Sequence, residues 1–186
     1  MPNVIIIHGS YGSPSENWIP WLKWELEKLG CRVFVPRFPT PKNQSIQNWL
    51  TIFNKYEQYL DRKSIVIGHS IGVAFLLNIL EKRNKPIKAA FFVSGFTGLL
   101  NNPAFDKLNS SFVDKNFNWQ MIKKNCSHFF VFHSNNDPYV PLKKATDLAQ
   151  NLGVNIILVQ DAGHFNEKAG FTKFDLLLQN IKRELN

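Results

Sequence analysis

Residues 64–72 read SIVIGHSIG: a short apolar run, the pattern Gly68-His69-Ser70-Ile71-Gly72, then an almost unbroken apolar stretch as far as Leu80. The run before Gly68 suits a strand buried on both faces, and the stretch after Ser70 is long enough for a helix. A sharp turn between them would carry Ser70 at its apex. Gly68 and Gly72 would then remove side chains where neighbouring backbone passes close. Five positions with three fixed residues are too common to decide chemistry alone, so the neighbourhood and the partners of Ser70 must do so. The segment Ile71–Lys82 stays apolar until Asn78 and Glu81, which predicts a helix covered broadly and packed centrally on a sheet.

The same alternation of short apolar runs and helix-period segments continues in both directions. Strands are predicted at Val4–His8, Arg32–Val35, Ser64–Gly68, Ala89–Val93, Phe129–Ser134 and Asn155–Val159. Ile46, Trp49, Leu50, Phe53 and Leu60 form one helical stripe, and Leu142, Ala145, Leu148 and Leu152 another. Phe171, Phe174, Leu177, Leu178, Ile181 and Leu185 line a closing helix. The first helix is expected to start near Trp18, because a start at Pro14 would leave Pro20 in its interior. Residues 94–128 are the least regular stretch, with a short helix expected near Trp119–Lys123 and no role assigned to the rest. Alternation of this kind indicates an α/β domain built on a parallel sheet, and 186 residues suffice for one such domain and its core.

Composition removes several classes. The formal net charge is +8, but the positive residues are scattered and mostly sit beside Glu, with no basic stripe interleaved with aromatics. Nucleic-acid binding is therefore not expected. No run of about 18 uncharged apolar residues occurs, so no membrane span is expected. The N-terminus, MPNVIIIHGSYG, reads as a first strand rather than a signal peptide. Two cysteines, Cys31 and Cys126, fit a reduced, cytoplasmic setting and supply no C-x-x-C pair for zinc or dithiol chemistry. Gly9-Ser10-Tyr11-Gly12 is not a dinucleotide or phosphate loop, and H-E-x-x-H is absent; no cofactor and no metal are expected. Asn109-Ser110-Ser111 and Asn125-Cys126-Ser127 match the glycosylation pattern but carry little weight without a secretion signal.

Ligands in a parallel α/β sheet sit beyond the carboxyl ends of the strands. Ser70 follows the third strand, Asp137 the fifth and His164 the sixth. A serine hydroxyl needs a base to accept its proton; imidazole serves near neutral pH, and a carboxylate behind it sets the tautomer. The chain order Ser, Asp, His is the order of nucleophile-elbow enzymes. Among five histidines, His8 is read as a loop brace and His69 as pointing away from the nucleophile. His128 and His133 are read as surface or core residues. For the carboxylate, Asp161 is the runner-up, and Asp106 and Asp114 lack a strand end to fix them. Ile71, opening the helix, offers an unpaired N–H to a developing oxyanion. The second donor is expected from the loop after the first strand, at the Ser10 N–H, with Tyr11 as the alternative.

With IIIHGSYG, WIPWLKWELEKLG, IVIGHSIG, FVSGF, FNWQMIKKNC, FHSNNDPYVP and DAGHFN in this order, the chain resembles the small α/β-hydrolase family of retinoblastoma-binding protein 9 and the bacterial proteins of the YdeN type. The resemblance implies a compact α/β-hydrolase fold: a three-layer α/β/α sandwich around six parallel strands in the order 2-1-3-4-5-6. It also implies a single domain over 1–186 without a large lid, and a triad of Ser70, Asp137 and His164. Some members of the family resemble hydrolases of small esters or amides, and the mammalian relative is also described as a protein-binding partner. Its L-x-C-x-E motif has no counterpart here, since Cys31 is followed by Arg32-Val33 and Cys126 by Ser127-His128.

The expected function is a serine hydrolase acting on small to medium apolar acyl esters, with amides possible in principle, and acting as a monomer or weak dimer. A non-catalytic protein-binding module on the same frame is the rival reading. Two of Trp18, Phe38, Phe96 and Phe165, all near strand ends, are expected to line an apolar acyl pocket beside Tyr11, with Trp119 covering it.

Overall fold

A computed structural model describes residues 1–185 of the chain. Six strands, β1 (Asn3–Ile7), β2 (Arg32–Phe34), β3 (Ile65–His69), β4 (Ile87–Val93), β5 (Cys126–Ser134) and β6 (Ile156–Val159), form one sheet in the order β2-β1-β3-β4-β5-β6. Every pairing is parallel. The apolar runs hide a period of two. Ile5 and Ile7 of β1, Val66 of β3 and Phe92 of β4 face one core, and Val4, Ile6, Ile65, Ile67 and Phe91 face the other. Helices cover both faces, which is why these strands are apolar throughout.

On one face lie α1 (Ile19–Lys28) and α7 (Asp175–Leu185), which bury Leu22, Leu26, Leu177 and Ile181 against the sheet. The other face carries α2 (Ile46–Glu57), α3 (Ile71–Lys82), α5 (Trp119–Lys124) and α6 (Leu142–Leu152), with α4 (Pro103–Val113) sending Phe112 into the same core. All ten residues from Ile71 to Leu80 are buried, as the composition of that segment requires. Helix α1 starts after Trp18 with Pro20 in its first turn, where a missing N–H costs nothing. Cys31 and Cys126 are free thiols, buried in the two opposite cores. Burial pushes the Cys126 thiol up to about 12. No helix among the described residues is long and apolar enough to cross a membrane.

The irregular stretch is more ordered than its composition suggests. Helix α4 was not anticipated; Asn102 caps it, accepting from the Phe105 N–H, and Pro103 takes the first helical position. The Asn-Pro pair thus starts a helix where it reads at first as a break. Strand β5 begins at Cys126, earlier than Phe129, because its first residues pair with Ile87 and Ala89 of β4. Phe171 and Phe174 precede α7 and pack on Phe165 instead, Phe171 edge-on and Phe174 stacked. The asparagines of both glycosylation patterns are buried. Asn109 is 3% exposed, and Asn125 is 2% exposed with its amide donating to the Leu80 and Arg83 carbonyls.

The site is positioned by a backbone-to-backbone contact at the start of α3. A Cβ on Gly72 would lie 2.6 Å from the Ile7 carbonyl oxygen and 2.8 Å from that of His8, and one on Gly68 2.9 Å from the Val73 nitrogen. These distances require a shift of main chain rather than of a flexible side chain. Gly72→Ala should therefore cost about 2 kcal/mol or more, the scale of overpacking in a dense interior, read as a lowered urea midpoint.

Candidate active site

Ser70 sits between β3 and α3 with φ 56° and ψ −124°, a backbone conformation that L-residues avoid. Holding a serine there costs on the order of 1–3 kcal/mol. The surrounding framework imposes it: the Ser70 N–H donates to the Val93 carbonyl of β4, and the Val73 N–H donates to the Ser70 carbonyl. The apex side chain is thereby aimed out of the sheet into a cavity of about 420 Å³, which Ser70 and His164 both line. The Ser70 hydroxyl has no hydrogen-bond partner among the described residues.

His164 reaches the cavity from the loop after β6, and Asp137 stands behind it. The His164 Nδ1 lies 2.8 Å from Asp137 Oδ2 and 3.1 Å from Oδ1. A carboxylate can only accept, so Nδ1 carries the proton and Nε2 is left as the free nitrogen of neutral His164. The Asp137 side chain is fully buried. Burial alone would push its carboxyl up. The His164 hydrogen bond and charge, with the Tyr139 and Val140 N–H groups, outweigh that and hold it below the usual range. Ser94 adds a further donor, its Oγ 2.8 Å from Asp137 Oδ2. Asp161, the alternative acid, is exposed, and its N–H donates to Asn135 Oδ1 in the turn before Asp137. The same turn holds the His164 loop through Ser134 Oγ and Asn136 Oδ1, which accept from the Ala162 and Gly163 N–H groups.

The other histidines support this frame. The ring of His69 packs 4.9 Å from the His164 ring, and its Nε2 donates to the His164 carbonyl. Burial first, and the nearby His164 charge second, push its pKa down to about 3. His8 donates from Nδ1 to the Gly9 carbonyl and accepts the Phe38 N–H at Nε2, bracing the loop after β1. His133 is buried in β5, donating to the Val140 carbonyl, and His128 is exposed beside Glu184.

In the loop after β1, the Tyr11 N–H is engaged by Thr40 Oγ1 at 2.7 Å, while the Ser10 N–H has no partner among the described residues. The Ile71 N–H opens α3 and is likewise unpaired.

The aromatic expectations fare unevenly. Tyr11 and Phe96 line the cavity, but Phe96 is alone among the four residues of which two were expected there. Trp18 is fully buried with its indole N–H donating to the Phe165 carbonyl, and Phe165 stacks on Phe174. Phe38 is stacked on Trp49 in the opposite core. All three are drawn inward because a Phe or Trp beside a sheet fills core volume first. Trp119 packs on Phe117 and covers no part of the cavity. The walls come instead from Leu100, Phe105 and Asn109 of the irregular stretch, and from Tyr139, whose ring meets that of His164 edge-on. Periodicity on α4 places Phe105 and Asn109 on one face, but only once that helix is recognised. Glu16, Asn17, Asn166, Glu167 and Lys168 form a polar rim opposite.

A serine on a strained strand–helix turn, set on a parallel sheet of this order, defines the α/β-hydrolase class. Comparison with known proteins narrows the class. Residues 4–183 match the serine hydrolase family, and the chain belongs to it. YdeN of Bacillus subtilis (strain 168) is 32% identical over 187 residues, covering 97% of each chain. The serine hydrolase RBBP9 of Rattus norvegicus is 28% identical over 184 residues, covering 97% of this chain and 94% of its own. The crystal structure of the B. subtilis ydeN product superposes with a TM-score of 0.93 at 30% identity, covering 99% of this chain and 98% of that one. Est1E of Butyrivibrio proteoclasticus, solved with ferulic acid bound, shares the fold at a TM-score of 0.73 and 16% identity, over 98% of this chain and 87% of its own. The protein is a hydrolase.

Two outcomes follow from these contacts. Ser94→Ala removes one donor from Asp137 and should lower turnover roughly 3- to 10-fold, the worth of about 1 kcal/mol of hydrogen bonding. His69 binds its proton near pH 6.5 when unfolded and near pH 3 when folded. Below pH 6.5 the unfolded chain therefore holds more protons, and stability falls with pH. The loss from His69 should reach about 2 kcal/mol at pH 5. Urea midpoints should stay level above pH 7 and decline below 6.5, with a shallower decline in His69→Gln, which keeps a donor for the His164 carbonyl.

Proposed function

We propose that this hydrolase cleaves carboxylic esters with small to medium apolar acyl groups through an acyl-enzyme intermediate, amides being the slower substrates. Its nearest functional class is the carboxylesterases. The observation that carries the reading is the buried Asp137–His164 pair beside a serine held in a strained turn. Strain and burial of this kind are costly unless chemistry uses them.

In this reading His164 Nε2 takes the Ser70 proton as Ser70 Oγ attacks the ester carbonyl. The carbonyl oxygen becomes an oxyanion facing the Ile71 and Ser10 N–H groups, two donors that need no reorganisation during the reaction. His164 then gives its proton to the departing alkoxide. Water, deprotonated by the same nitrogen, attacks the acyl-enzyme and regenerates Ser70. Asp137 keeps the imidazole in the required tautomer and stabilises the imidazolium without taking the proton. The acyl chain lies against Phe96, Leu100 and Phe105, and the leaving group passes the polar rim.

A fluorophosphonate should add once per chain, at Ser70, and Ser70→Ala should abolish labelling with the fold intact by circular dichroism. On p-nitrophenyl esters of about two to eight carbons, Ser70→Ala and His164→Ala should each lose roughly 10⁴-fold or more in kcat, and the double variant little beyond either. Asp137→Asn should be comparably damaging. Wild-type turnover retained in all three would sink the mechanism and leave a binding module on a hydrolase frame.

A further inference from the structure

Asn109 of α4 is 3% exposed, lines the cavity, and is used by nothing in the mechanism above. Its orientation follows from a chain of hydrogen bonds that starts at a group able only to accept. The Leu108 carbonyl faces the Gln44 amide at 3.5 Å, so Gln44 turns Nε2 toward it, and the same nitrogen lies 2.8 Å from Ser10 Oγ and from Asn109 Oδ1. Gln44 Oε1 is then on the Thr40 side, 2.5 Å from Thr40 Oγ1, which donates to it while accepting the Tyr11 N–H. The Ser10 hydroxyl, accepting from Gln44, donates to Asn109 Oδ1 at 2.8 Å. The atom of Asn109 facing this network must accept, which makes it the oxygen.

The Asn109 amide nitrogen is then on the other side, and it has no partner among the described residues. Nor is it sealed in the interior: the one fully buried side-chain polar atom without a partner among those residues is His133 Nδ1. An unpartnered N–H₂ on a side chain this deeply buried, in a residue that lines the cavity, is a donor presented to the cavity. Phe105 lies one helical turn earlier on the same face of α4, so the donor belongs to the apolar half of the cavity rather than to the polar rim.

We propose that Asn109 Nδ2 donates to an oxygen carried by the acyl group, and that the preferred substrates are oxygenated acyl esters rather than plain alkanoyl ones. The inference rests on the ester-hydrolase reading and narrows its acyl preference to chains that carry one acceptor oxygen in an otherwise apolar group. An alkyl chain would strand the amide against hydrocarbon, and a site built to hydrogen-bond discriminates against ligands that lack the partner. Because Asn109 Oδ1 touches the side chain of Ser10, whose N–H is the proposed oxyanion donor, the acceptor belongs close to the scissile carbonyl, as an ether, hydroxyl or oxo group on the acyl chain.

The test compares p-nitrophenyl methoxyacetate with p-nitrophenyl butyrate, which differ by an oxygen in place of a methylene, each kcat/KM divided by the ester's rate with hydroxide. The wild type should favour the methoxyacetyl ester by about three- to tenfold, the worth of one neutral hydrogen bond. Asn109→Asp retains an acceptor for Ser10 and Gln44 but turns an acceptor toward the cavity. At about pH 8, where a carboxyl receiving two donors is ionised, it should reverse the preference. Asn109→Leu should erase it. If Asn109 merely braced the loop or served as a third oxyanion donor, both esters would change together and the ratio would hold, which overturns the proposal. Binding of the same esters to Ser70→Ala, followed by protein NMR, separates this from the hydrolytic mechanism. Tighter binding of the methoxyacetyl ester supports the donor even if the mechanism fails, and equal or absent binding of both rejects it.

Discussion

The whole site depends on α3 meeting the ends of β1 and β3 through bare backbone. Gly72 lets the helix sit against the Ile7 and His8 carbonyls, and Gly68 lets the strand pass beneath Val73. That contact forces Ser70 into its unusual backbone conformation and leaves the Ile71 N–H unpaired beside it. The same approach puts Gly9 beside Ser70, since a Cβ on Gly9 would lie 2.9 Å from the Ser70 Cβ. The loop after β1 is thus held against Ser70. Dense packing of the all-apolar α3 against the sheet supplies the stabilisation that offsets the local strain.

Around that fixed point the charge distribution is asymmetric. One carboxylate, Asp137, is fully buried and saturated by donors from β4, from its own turn and from His164. Three histidines packed nearby, His8, His69 and His133, are held neutral chiefly by burial, each with its pKa pushed down. They contribute hydrogen bonds without competing positive charge. His164 is the imidazole hydrogen-bonded to that buried carboxylate, and the low-dielectric surroundings make the bond strong.

The segment formed by residues 94–113 links the cavity wall to the loop after β1. Phe105 meets Tyr11 and Tyr139 edge-on, and Asn109 is bonded to Ser10 and Gln44. A group pressing on α4 is therefore felt by the loop that carries the Ser10 N–H. The segment that looks least structured in composition supplies most of the apolar wall.

Most of the fold was legible from the chain, because a covered parallel sheet demands apolar strands and because Gly68, Ser70 and Gly72 report a close backbone crossing. Ser70, Asp137 and His164 stand after the third, fifth and sixth strands, and that placement is a local property of the chain. Family resemblance added the strand order, which periodicity does not carry. Helix α4 was missed although Asn102-Pro103 signals its start, since the same pair also marks turns. The pocket walls were misjudged for a different reason. Whether Trp18, Phe38 or Phe165 faces the core or the cavity depends on neighbours far away in sequence, such as the Phe165 carbonyl that binds the Trp18 indole and Phe75 against Phe38. Ser94 behind Asp137 and Asn109 beside Ser10 were invisible for the same reason, their partners lying 43 and 99 residues away. Local pattern determined the strands, the elbow and the order of Ser70, Asp137 and His164; only tertiary packing decided which side chains surround them, because direction and burial are properties of contacts that the chain makes after it folds.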